Sequence, residues 1–201
     1  MKIKTLNIVF GMVLLLSAGL TFRAQGQTNF GFRAGLNVSN VSFENLPNKS
    51  ERFGYHIGAF AELPIVADFM SIQPELSYGV KGAAYKPLND RQTLNLTYLY
   101  LLIPVACKLS SIDVQVGPFA SFLISTPDFT VFEDDMIIVD AFKKYDLGLT
   151  AGLSYNFNHW LIGIRYNQGL VAIAKDNAHT ILGNGQNAVG QVSLGYRFKS
   201  R

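Results

Sequence analysis

The 201-residue chain has one cysteine, Cys107, and three histidines, and only 15% of its residues are charged. One cysteine excludes an internal disulfide, so stability has to come from elsewhere. Charge is scarce against about a quarter in a typical soluble domain. After Leu20 no apolar run approaches the roughly 20 residues that a spanning helix requires. If the chain crosses a membrane, strands must do it.

The one long apolar run, Ile8 to Leu20, follows Lys2 and Lys4 and precedes the small residues of Ala24-Gln25-Gly26. That order predicts a cleaved signal peptide over residues 1–26, with the cut before Gln27; a membrane anchor is the weaker reading. The mature domain is then 27–201. Removal of Lys2, Lys4 and Arg23 lowers Lys+Arg from 17 to 14, equal to the 14 Asp+Glu. A neutral chain offers no basic surface, which excludes nucleic acid as a partner.

The remainder alternates. In YDLGLTAGLSYNF, residues 145–157, Leu147, Leu149, Ala151, Leu153 and Tyr155 alternate with Gly148, Thr150, Gly152 and Ser154. Period two of this kind marks strands, and it predicts eight of them: 29–38, 53–63, 70–80, 96–109, 112–124, 146–157, 160–169 and 187–198. Globular strands cluster near about five or six residues, whereas a tilted crossing of a bilayer takes about 9–11. Connections 64–69, 110–111 and 158–159 are short, while 39–52, 81–95, 125–145 and 170–186 are long and polar. Short periplasmic turns and long external loops are the outer-membrane pattern. In 96–109 both parities are apolar; Leu101, Ile103, Val105 and Cys107 are assigned to lipid, and Tyr100, Leu102, Pro104, Ala106 and Lys108 inward.

Which face is polar decides between a soluble and a membrane barrel. The polar face is rich in Gly, Ser, Thr, Asn and Gln, too small and hydrophilic for a dry core, and the apolar face carries too few charges for a soluble exterior. The predicted fold is all-β: a closed antiparallel eight-stranded transmembrane β-barrel, an up-and-down meander with apolar side chains outward and both termini in the periplasm. Phe30, Phe157, Trp160, Tyr196 and Phe198 near the short turns, and Tyr55, Tyr78 and Tyr166 nearer the long loops, suit two aromatic girdles.

The stretches YLLIPVACKL (100–109), VGPFASFL (116–123), KYDLGLTAGLSYNF with NHWLIGIRYNQGL (144–170) and FGFRAGLNVS (30–39) together resemble the PorT-like outer-membrane β-barrels of the Bacteroidetes. The likeness spans nearly the whole mature chain. Leu102 departs from it, since many relatives carry an acid there. The resemblance implies an outer-membrane barrel and no particular activity, although the name-giving member is tied to protein secretion.

An eight-stranded barrel is narrow, so inward charges should pair. Arg33, Glu75 and Arg165 are expected near mid-height, and Glu62, Lys108, Asp113 and Arg197 near the periplasmic end, as a structural network. His159 in a turn and His179 in a loop suit no preorganised site. His56, facing inward with Ser77 nearby, is the one candidate for acyl-transfer chemistry, and no spacing supports a triad. In the loop FEDDMIIVDAFKK, Glu133, Asp134, Asp135 and Asp140 match no calcium loop and read as a solvated acidic loop. Met136 and Ile137 are apolar in an otherwise exposed setting, which makes Glu133 to Ile137 a candidate recognition stretch.

The expectation is therefore a monomeric outer-membrane protein with a structural or binding role through its external loops. No catalysis, cofactor or metal is called for. Its partners would be outer-membrane lipids and an envelope protein, extracellular protein or small ligand. A small-solute channel is the alternative, and a lipid hydrolase or acyltransferase the third reading.

Overall fold

A computed structural model describes residues 28–42, 49–50, 52–81, 84–85, 92–93, 96–125, 143–171 and 186–198. The strands in chain order are β1 (Asn29–Ser42), β2 (Lys49–Ser50), β3 (Arg52–Val66), β4 (Met70–Ile72), β5 (Glu75–Lys81), β6 (Ala84–Tyr85) and β7 (Gln92–Thr93). They continue as β8 (Leu96–Leu102), β9 (Val105–Leu109), β10 (Ile112–Ser125), β11 (Tyr145–Phe157), β12 (Trp160–Gly169) and β13 (Gln186–Phe198). Ten of these form one antiparallel sheet in the order β1-β13-β12-β11-β10-β8-β5-β3-β4-β9, and β1 also pairs with β3, and β10 with β9. The short strands β2, β6 and β7 form a separate three-stranded sheet.

This ten-stranded sheet corrects the expected closed eight-stranded meander. The count changes at two prolines. The expected strand 70–80 breaks at Gln73-Pro74 into β4 and β5, and 96–109 breaks at Ile103-Pro104 into β8 and β9. Proline has no N–H for a ladder and is poorly tolerated inside a sheet. The two breaks are adjacent, with Gln73 N–H donating to the Pro104 carbonyl at 2.8 Å and Ile103 N–H to the Pro118 carbonyl at 3.1 Å. Gly117 lies against the Pro104 backbone, where a Cβ would collide. The loops also lose length to structure: β1 and β3 outrun their expected ends, and β2, β6 and β7 fall where plain loops were expected.

The short turns sit at Ala67–Phe69, Ser110-Ser111 and Asn158-His159, and each carries one left-handed non-glycine residue: Asp68 (φ 57°), Ser110 (φ 61°) and Asn158 (φ 55°). Asp and Asn tolerate that region because their short polar side chains hydrogen-bond locally.

Burial alternates with sequence parity. Along β12 the pattern is strictly exposed then buried from Trp160 to Asn167. The buried parity is polar, including Arg33, Asn37, His56, Glu62, Glu75, Asp113 and Asp146, while Phe32, Leu36, Phe53, Ile57, Leu149, Ile164 and Val192 are exposed. The polar face touches itself across the sheet, so it encloses an interior. One apolar cluster fills part of that interior: Leu96, Tyr98, Tyr100 and Leu102 of β8, with Phe119 of β10. Bulky inward side chains face glycines on the next strand, as in Phe60 opposite Gly31, Phe119 opposite Gly148 and Leu161 opposite Gly195.

Candidate functional site

The inward charges gather in three tiers between the short turns and the long connections. In the lowest, Glu62 at the end of β3 is ion-paired with Lys108 of β9, and Arg197 Nε of β13 lies 3.0 Å from Glu62 Oε2. Arg197 also reaches Asp113 Oδ2 at 3.5 Å and donates to Asn156 Oδ1 at 2.9 Å.

The middle tier centres on Glu75, whose Oε2 accepts from Arg165 Nη2 at 2.9 Å and faces Arg33 Nη1 at 3.3 Å. Its other oxygen accepts from the Ser77 hydroxyl at 2.6 Å. Arg165 also donates to Gln115 Oε1 at 3.2 Å, and the Gln115 amide donates to Gln73 at 3.0 Å and Ser154 at 3.3 Å. Arg33 lies over the Phe60 ring, 5.4 Å from its centroid. β5 and β12 are separated by three strands along either route through the pairings, so the Glu75–Arg165 contact spans the interior. Above it, Asn37 Oδ1 takes His56 Nδ1 at 2.7 Å and the Gln191 amide at 3.0 Å, and Asn167 donates to Gln191 at 3.1 Å.

The upper tier was not anticipated. Lys81, the last residue of β5, lies 3.4 Å from Asp146 Oδ2 on β11, and Asn187 of β13 donates to the same oxygen at 2.9 Å. The Lys81 ammonium stands over the rings of Tyr100 (4.5 Å), Tyr98 (4.9 Å) and Phe119 (5.4 Å), a cation–π enclosure of the kind that replaces hydration for a buried cation. Counting Lys81 into a loop concealed it. Its parity with Glu75, Ser77 and Gly79 was the available signal.

The chemistry sought at His56 does not assemble. Its Nδ1 engages Asn37, and the Ser77 hydroxyl is committed to Glu75, so the two do not form a nucleophile–base pair. His159 in its turn bonds the Arg197 carbonyl at 3.0 Å and stacks on Tyr196. Among the described residues no three His, Cys, Asp or Glu side chains gather to hold a metal. His179, the acidic residues Glu133, Asp134, Asp135 and Asp140, and Met136 and Ile137 lie outside the described residues, as does the segment 1–26.

On the outward face, aromatic rings collect beside the short turns: Trp160 and Tyr196 at 5.1 Å, Tyr196 and Phe198 at 5.1 Å, and Phe32 and Phe198 at 5.9 Å between centroids. Tyr55, Tyr78 and Tyr166 are exposed towards the other end. A sheet that hides ion pairs and exposes rings and aliphatic side chains is built for lipid outside and polar contact inside, which is the class of outer-membrane β-barrel proteins. Residues 22–175 match the family model for the outer membrane protein beta-barrel domain, and the chain belongs to that family.

Among solved structures, neisserial surface protein A is similar in fold, with a TM-score of 0.53 at 13% identity, covering 84% of this chain and 97% of that one. The attachment invasion locus protein Ail of Yersinia pestis, in complex with the heparin analogue sucrose octasulfate, aligns with a TM-score of 0.47 at 12% identity, over 86% of this chain and 100% of Ail. No curated protein matches the sequence.

Proposed function

We propose that this outer-membrane protein is a non-conducting scaffold that acts by recognition through its external loops. The observation that carries this reading is the Glu75–Arg165 contact across the interior, at 2.9 Å, joined by Arg33. With Glu62–Arg197 below and Lys81–Asp146 above, buried charged side chains pair at three heights of the interior. A conducting path would have to part buried ion pairs, and breaking one costs about 3–5 kcal/mol. The recognition role then falls to the segments beyond the strands, with Glu133, Asp134, Asp135, Met136 and Ile137 as its candidate residues. The stretches at 100–109, 116–123 and 144–170 favour the PorT-like branch of the family. In this reading residues 1–26 are cleaved on export, both termini face the periplasm, and the protein is a monomer.

The test is planar-bilayer recording of the purified full-length mature protein. The expected result is no unitary current steps; reproducible steps from the wild type would replace the scaffold reading with the channel. Deletion of 128–140 is the companion experiment. It should abolish surface or partner phenotypes while leaving outer-membrane insertion intact, and an unchanged phenotype would remove that loop from the proposal.

A further inference from the structure

Glycines on the inward parity are enforced by their neighbours: a Cβ at Gly79 or Gly163, the mildest cases, would still sit 3.0–3.1 Å from another atom. Gly190 is different. It lies on the outward parity with Val192 and Leu194, its φ is not left-handed, and an added Cβ would meet nothing closer than the Val38 carbonyl oxygen at 3.8 Å. Neither packing nor backbone conformation asks for a glycine there.

The missing side chain instead shapes the surface. Along β13 the outward side chains fall from the rings of Phe198 and Tyr196 through Leu194 and Val192 to Gly190, followed by the small Ala188. Across the sheet Gly190 pairs with Tyr166, which pairs with Ala151, so the Tyr166 ring stands between two dents. Together with Val38, Ile164 and Val192 these residues bound a shallow, open apolar groove of about 560 Å³. Arg165 and Gln191 back the groove, but their side chains are buried on the inward face. At its outer rim the Tyr166 hydroxyl donates to Gln168 Oε1 at 2.9 Å, so the apolar walls end in a polar edge. That combination suits a molecule with an apolar tail and a polar head.

We propose that this groove seats one acyl chain of a membrane lipid. The groove is continuous with the face that an outer-membrane protein presents to the bilayer, which fixes the chemistry of its neighbour. A flexible chain can follow the dents on either side of Tyr166 and recover the dispersion contacts that an unfilled dent forfeits. A second copy presents a convex sheet of the same kind and would need roughly 800 Å² of matched surface on each partner. The inference is independent of what the loops recognise.

The experiment is native mass spectrometry of the full-length protein extracted from outer membranes in mild detergent. It compares the wild type with the double variant Gly190→Leu/Ala151→Leu and with Ala59→Leu, an outward substitution away from the groove. Both groove positions face outward, and a Cβ on Gly190 would make only an ordinary contact. The expected result is one lipid-mass adduct on the wild type and on Ala59→Leu, lost from the double variant. Reconstitution in phosphatidylethanolamine vesicles bearing a photoreactive acyl chain should concentrate cross-links on peptides containing Tyr166. Absence of the adduct from the wild type, its retention in the filled variant, or cross-links spread evenly over the outward face would each overturn the proposal. So would a wild-type dimer that the double variant converts to monomer, since the groove would then be a contact between copies.

Discussion

A Cβ placed on Gly148 would run into the carbonyl of Gln168 and the ring of Phe119, whereas one placed on Gly190 would make only an ordinary contact with the Val38 carbonyl oxygen at 3.8 Å. Gly148→Ala should therefore lower stability by about 1–3 kcal/mol, the usual range for overpacking, and Gly190→Ala should stay within about 0.5 kcal/mol, both read from denaturant unfolding in detergent micelles. At Glu75, 2% exposed, the charge is the matter. Glu75→Gln leaves Arg33 and Arg165 buried without their carboxylate and should destabilise by about 3–5 kcal/mol in the same assay; a change under about 1 kcal/mol, the scale of a surface pair, would mean that water screens the site. The faces of these residues follow from period-two alternation, which any reader of the sequence can count. Their partners do not, because Glu75 and Arg165 are 90 positions apart and parity gives no depth.

Strand ends carry the next level of organisation. Lys81 closes β5 before the segment 82–95, Asp146 is the second residue of β11, and Asn187 is the second residue of β13; all three meet at the Asp146 carboxylate. Gly169, at the end of β12, leaves the space that Asp146 Oδ1 occupies. Asp146→Asn should therefore raise amide hydrogen exchange together at the ends of β5, β12 and β13, while the ladder near the short turns stays protected. Exchange confined to β11 would show that the roots are not coupled. Elements themselves were readable unevenly. The hairpin of β11 and β12 is plain in the text because its alternation is unbroken, and Asn158-His159 is its turn. β8 and β9 were obscured because both parities are apolar there, and a proline's effect on the ladder depends on a neighbour, here the Pro74 break, that sequence order does not display.

At the scale of the molecule, inversion of polarity was the readable fact: small polar residues and charges on one parity, rings and aliphatics on the other. That inversion separates a membrane protein from a soluble one, and the family match agrees with it. Strand number was misread because it depends on where hydrogen bonding lapses, which composition does not record. The proposed export signal and orientation yield a direct expectation. Mature protein recovered from outer membranes should begin at Gln27, and a tag after Arg201 should resist protease in intact cells and become cleavable once the envelope is opened. A surface-accessible tag would invert the proposed orientation.

The ion pairs also impose an order on assembly. Glu75 and Lys81 belong to the first half of the chain, yet their counterparts Arg165 and Asp146 are made 90 and 65 residues later. Until β11 and β12 arrive, Lys81 lacks the Asp146 carboxylate, and Glu75 has only Arg33 of the two arginines that meet it. An N-terminal half-sheet is then a poor resting point in a bilayer, where an unmatched charge is expensive. Contacts this remote in sequence make formation slow and concerted. The same charges that fill the finished interior thus discourage a partly inserted chain from settling in the membrane.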